Sequence, residues 1–243
     1  MFVAAFRRHT RPGISFGEFI EGWQAEQGYG VTNRVLNAVN VEDEHDIVTL
    51  GFVQVPLRLL RFMLAKGRKT DMHDTDRHDR VAELLTSTEL RSQFVVRGEV
   101  AIEDGHPYRI DRKARRNPDG MRSMLSFKRV KQAEDLPDGP PLISLIASTR
   151  GHLDVTDAAG IVAQLLGLEE SIRLLHLEEV DAPDSHLLVA ILSASVTDAD
   201  PRRLVPHGHD VDWVGRYQFR TEHDFTRDPI RVPFRGDLSI APF

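Results

Sequence analysis

The chain has 243 residues, long enough for one large domain or for two small ones that each bury a core. Hydrophobic residues at 41% and charged residues at 28% are ordinary for a globular chain, and a formal charge of -6 argues against a general nucleic-acid binder. Cysteine is absent, which excludes disulfides, thiolate metal ligands and cysteine nucleophiles and is compatible with a reducing compartment. The N-terminal MFVAAFRRHT puts its apolar residues before its charges, the reverse of a secretory signal, and no apolar run reaches the length of a bilayer span. The expectation is a cytoplasmic protein with neither a membrane nor a nucleic acid as partner.

The first half reads as β-α-β-β-α-β. Strands are expected at Phe2 to His9, near Val31 to Val41, at Ile47 to Val55 and at Gln93 to Ile102. The first helix is expected near Phe16 to Gln27. Ser15 can cap it and Glu18, three positions on, completes a capping box. Phe16, Phe19, Ile20 and Trp23 follow at i, i+3, i+4 and i+7, and Gln27 continues that face as a polar amide. A second helical region is expected between Leu57 and Leu90, with stripes at Leu57, Leu60, Met63 and Leu64 and at Val81, Leu84 and Leu85. Between the stripes, DMHDTDRHD reads as a solvated loop, with a lid over a ligand site as the functional alternative.

From His106 to Pro141 the chain holds two turn clusters, NPDG and LPDGPP, with a short strand expected over Ser123 to Val130 between them. A junction is placed there, which divides the chain into units 1–116 and 142–243 joined by 117–141. The basic run Arg109, Arg112, Lys113, Arg115 and Arg116 lacks an aromatic platform and reads as a charged connection. The pattern then starts again. Leu142 to Ala147 is a strand, Thr156 or Asp157 can cap a helix that Gly167 ends, and SIRLLHLEEV, DAPDS and HLLVAILSASV form a hairpin. That hairpin echoes TNRVLNAVNV, EDEHD and IVTLGFVQV, with Arg173 answering Arg34. A last strand is expected at Gly215 to His223.

The strand FVAAFRRH followed by the helix SFGEFIEGWQAEQGYG resembles the opening of the dimeric α+β barrel superfamily, especially its EthD-like and stress-responsive A/B-barrel members. In those families the helix carries a Phe, a Trp four residues later and a His four after that; Phe19 and Trp23 match, and Gln27 stands where the His would be. The resemblance implies an α+β fold of two ferredoxin-like βαββαβ units in tandem, packed sheet to sheet as an internal barrel. It also implies a cofactor-independent oxygenase, isomerase or lyase acting on a small aromatic or polyketide-like acid.

His9, Gln27 and Arg34 are the catalytic candidates, and Phe19 and Trp23 the substrate-binding ones. Arg34 and His9 could hold a carboxylate or enolate oxygen. Asn37, on the opposite face of its strand from Arg34, is expected to be solvated. An amide at position 27 cannot exchange a proton near neutral pH, so a role that the family His carries would move elsewhere or be lost. A non-catalytic stress-response or binding module is therefore the alternative. A second alternative is a divalent-metal enzyme in which His207 and His209 of HGHDVDW share one face of an extended strand. No P-loop, Rossmann glycine fingerprint, GxSxG elbow or HExxH is present. No cofactor is expected, the partner is a small-molecule ligand, and a homodimer remains open.

Overall fold

Strand β1 (Phe2–Thr10) leads through helix α1 (Phe16–Trp23) into strands β2 (Asn33–Asn40) and β3 (Asp46–Val53), and the long β4 (Leu85–Glu103) ends the first half. After β5 (His106–Asp111), the second half runs β6 (Ile143–Arg150), α2 (Val155–Leu165), β7 (Ser171–Glu179), β8 (Ser185–Leu192) and β9 (Asp210–Phe219), and β10 (Ile230–Pro233) follows. This computed structural model describes residues 2–23, 33–53, 80–111, 143–192, 198–220 and 230–234.

Eight of these strands close a barrel in which every pairing is antiparallel, in the order β1-β3-β2-β9-β6-β8-β7-β4 and back to β1. The first half contributes β4-β1-β3-β2 and the second β9-β6-β8-β7, so the two halves take their strands in the same order. The halves meet at two seams, β2 with β9 and β4 with β7. Strand β4 closes the ring because it is 19 residues long, pairing with β1 through Val95 and with β7 from Phe94 onward. Antiparallel alternation also sends the β2–β3 and β7–β8 turns to the same end of the barrel. Arg34 lies opposite Phe52 and Arg173 opposite Ile191, each at the same distance from its hairpin turn.

The strands form because successive side chains serve two apolar layers. A buried cluster drawn from all eight strands, including Val3, Leu50, Val189 and Phe219, fills the barrel interior. The alternate residues face outward under the helices. Phe19, Ile20 and Trp23 of α1 pack with Val39 and Ile47 over one half, and Ala158, Ile161, Val162 and Leu165 of α2 cover the other.

The Ser15–Glu18 capping box is present, with Ser15 N donating to Glu18 Oε2 at 2.8 Å and Glu18 N donating to Ser15 Oγ at 3.2 Å. Gly167 follows the end of α2 with φ of 80°, as a helix-ending glycine requires. The cap of α2 is Asp154, not Thr156 or Asp157, because Asp157 at the third position returns the bond to the Asp154 backbone and completes a second box. Helix does not extend to Leu90. Arg80–Ala82 is its last helical stretch, and from Leu85 the alternating threonines Thr86 and Thr88 belong to β4.

Strand β5 was not foreseen, since Asp104 (φ 50°) and Gly105 (φ 75°) form a two-residue hairpin turn that pairs Glu103 with His106. Between β8 and β9, where a βαββαβ unit has its second helix, residues 198–209 contain one 3-10 turn, Pro201–Leu204. Pro201 and Pro206 sit too close to admit more. The expected DMHDTDRHD lid, the 117–141 connection and the strand over Ser123 to Val130 lie outside the described residues.

Candidate functional site

Alternation along β1 divides RRH between two spaces. Arg7 and His9 share the inward face with Val3 and Ala5, while Phe6 and Arg8 turn outward toward α1. The inward cluster is centred on Asp46, a carboxylate only 1% exposed. Arg7 donates to it from Nε at 3.1 Å and Nη2 at 2.9 Å, Asn40 from Nδ2 at 2.9 Å and Tyr217 from its hydroxyl at 2.8 Å. Burial, followed by the Asp46 charge, pushes the Tyr217 hydroxyl well above the ordinary phenol range. Burial by itself disfavours the Arg7 charge, but the bond to Asp46 and the surrounding negative charge outweigh it, so the guanidinium is held more firmly protonated than usual. The Trp213 ring covers that guanidinium at 4.7 Å.

His9 sits beside this network. Its Nδ1 is 3.2 Å from Glu89 Oε1, and its Nε2 is 3.9 Å from both Asp43 and Asp46. Three carboxylates around one imidazole make its surroundings negative, which opposes the carboxylate or enolate oxygen expected at His9. Glu89 also pairs with Arg7 at 2.9 Å.

The outward face of β1 carries a different arrangement. Arg8, 2% exposed, places its guanidinium carbon 4.2 Å from the Phe6 ring centre and 4.3 Å from that of Trp23. The two rings meet edge to face at 5.7 Å. Phe19, fully buried, packs in the same layer. Trp23 and Phe19 therefore sit outside the barrel wall and His9 inside it, so these three candidates do not share one space. Gln27 and the Arg34 side chain lie outside the described residues. Asn37 is not solvated: it is 1% exposed and its Oδ1 accepts from Thr49 Oγ1 at 2.7 Å, because β3 places a hydroxyl opposite it. Sequence reading missed Arg8, although RRH on an alternating strand already sends its two arginines to opposite faces.

His207 and His209 do not lie on an extended strand. His207 is exposed in a turn at Gly208 (φ 81°), and β9 begins only at Asp210, so the geometry that would have joined the two imidazoles is missing. His209 instead packs against Gly151 and donates from Nε2 to His152 O at 3.1 Å. No group of three or more His, Asp or Glu among the described residues is arranged to hold a metal ion.

No protein-family model matches this sequence, and no curated protein matches it significantly. Solved structures that match this chain include two. One, from Lactobacillus acidophilus NCFM and described as a "putative monooxygenase", is 7% identical with a TM-score of 0.45, over 95% of this chain and 99% of the other. Another, from Fusobacterium nucleatum subsp. nucleatum and described in the same words, is 8% identical with a TM-score of 0.49, over 98% of this chain and 96% of the other. Such a likeness transfers no residue role. No helix among the described residues is long and apolar enough to cross a membrane.

Proposed function

We propose that this chain is a small-molecule-binding protein of the dimeric α+β barrel type. Two ferredoxin-like units, 1–116 and 142–243, joined by 117–141, would close one barrel, and a small aromatic or polyketide-like acid would bind between α1 and the outer face of β1. The repeated strand order and the matched register of Arg34 and Arg173 support the two units.

The observation that carries the ligand is Arg8. The Arg8 guanidinium sits in the corner that the Phe6 and Trp23 rings form, 4.2 and 4.3 Å from their centres, so a cation stands beside two aromatic surfaces. That geometry suits a planar carboxylate attached to an aromatic ring. Gln27, one turn past Trp23 on the expected helix face, would add an amide to orient the ligand.

In its enzymatic form, this reading is a cofactor-independent oxygenase, isomerase or lyase. The position of His9 favours the non-catalytic binding module instead, because strand alternation separates that imidazole from Arg8 and Trp23. Titration of hydroxylated benzoic and naphthoic acids, followed by the fluorescence of Trp23 in a Trp213→Phe background, tests the binding. Saturable quenching that weakens at least about tenfold in Arg8→Met, or when the acid is replaced by its amide, is expected. Equal binding of acid and amide overturns the reading. Oxygen uptake or product formation that His9→Gln abolishes would select the enzymatic form.

A further inference from the structure

The two halves correspond residue by residue around their first strands. Val39 opposite Ile47 and Glu178 opposite His186 are the last pairs before the two hairpin turns. Arg8 lies opposite Ile47 and Thr149 opposite His186, so Thr149 holds in the second half the position of Arg8 in the first. The bulges agree. The pairing of β1 with β4 passes from Arg7 opposite Leu90 to Arg8 opposite Thr88 and steps over Glu89. That of β6 with β9 passes from Ser148 opposite Trp213 to Thr149 opposite Val211 and steps over Asp212. An extra residue at the same place in both halves leaves no freedom in the correspondence.

The helices align by their caps. Counted from Ser15 and from Asp154, each the start of a capping box, Phe19 corresponds to Ala158 and Trp23 to Val162. Phe6, two residues before Arg8, corresponds to Ala147. The four groups around the Arg8 corner are therefore Ala147, Thr149, Ala158 and Val162 in the second half. Each is smaller than its counterpart, none is charged, and none is more than 3% exposed.

The surroundings of Thr149 do not make up for the missing cation. Among the described residues Arg8 is the one buried arginine, and no lysine is buried. His186 has both ring nitrogens engaged, Nε2 with Gly151 O at 2.8 Å and Nδ1 with His176 Nε2 at 3.1 Å. The N–H groups of Thr156 and Asp157 at the start of α2 are taken by the Asp154 carboxylate, which also repels a second anion. The Thr149 hydroxyl has no hydrogen-bond partner among the described residues and offers a ligand one neutral bond. One neutral bond does not offset the cost of taking a carboxylate out of water.

Taking the Arg8 corner as the acid site proposed above, we infer that the chain is one-sided. A single acid binds per chain, beneath α1, and the matching place beneath α2 is closed to it because Thr149 stands where the guanidinium would be. The second half then serves the site from a distance, by completing the barrel along the β4–β7 and β2–β9 seams.

The test is titration calorimetry of the full-length chain with a hydroxynaphthoic acid, beside hydrogen exchange with and without it. A stoichiometry of one acid per chain is expected, because losing the guanidinium bonds and the aromatic surfaces weakens the α2 place by at least about a hundredfold. Protection should fall on 2–23 and leave 143–165 unchanged. Arg8→Met should remove the saturable heat. Thr149→Val deletes only the hydroxyl and should keep the stoichiometry, with an affinity within about twofold of wild type. Two equivalents of acid, protection of α2 by the acid, or a stoichiometry that falls in Thr149→Val overturns the one-sidedness and leaves the acid site at Arg8 standing. No binding at all overturns that site and the one-sidedness together.

Discussion

Arg7 and Asp46 meet inside the barrel through two hydrogen bonds, of 3.1 and 2.9 Å, that join β1 to β3. Asn40 on β2 and Tyr217 on β9 donate to the same carboxylate, so one buried anion ties three strands of the first half to one of the second, across the β2–β9 seam. A buried charge is tolerated only with such saturation, and removing one partner strands the other.

Asp46→Asn keeps the shape and removes the charge opposite a buried Arg7. A loss of about 3 to 5 kcal/mol in denaturant-induced unfolding is expected. Tyr217→Phe should cost about 1.5 to 3 kcal/mol, and the double variant less than the sum, since both changes act on one network. Strict additivity would show that the four donors do not work as a unit.

Tyr217 reaches Asp46 only because residue 215 is glycine. A β-carbon there would come within 2.6 Å of Tyr217 Cε2. Gly215→Ala should therefore displace the ring and cost about 1 to 3 kcal/mol. Combining it with Tyr217→Leu should recover part of the loss, and the same loss with or without the ring would remove the steric explanation.

Local pattern carried the parts of this fold that local physics decides. The α1 capping box and the helix-ending Gly167 are written within a few residues, and the β2–β3 and β7–β8 hairpins within two neighbouring strands and their turn. The barrel's closure is not, because it depends on β4 running on from Leu85 through a stretch whose Leu84 and Leu85 also fit a helical stripe. The site failed for a related reason. His9 and Trp23 are both candidates for one ligand site, yet the period of two in β1 places a barrel wall between them. The same period, applied to RRH, would have singled out Arg8.

Arg8→Lys tests the aromatic stack without removing the charge. A compact ammonium presents less surface to the Phe6 and Trp23 rings than a guanidinium does, so a loss of about 2 kcal/mol is expected despite conserved charge. Urea unfolding measures it, and a neutral outcome would mean that charge alone matters at this position.

Asp154 caps α2 through backbone N–H groups of Thr156 and Asp157 at 2.7 and 2.9 Å. The backbone bond from Asp157 is the largest influence holding its carboxyl below the usual aspartate value, so the cap is fully effective above about pH 3.9 and fails as pH falls through the lowered value. Asp154→Ala should be less stable than wild type near neutrality, and the gap should narrow in acid. A gap that does not change with pH would mean that the cap works without its charge.

Gly151→Ala meets two obstacles at once. The backbone lies at φ 147°, which L side chains rarely adopt, and the new methyl would press the His209 ring at 3.0 to 3.1 Å. The expected loss is about 1 to 3 kcal/mol. Adding His209→Ser removes the ring and should restore only the steric share, leaving the backbone share in place. The residual loss in the double variant thus separates strain from crowding. Complete recovery would show that the ring alone excludes a side chain at 151, and no recovery would assign the requirement for glycine to the backbone.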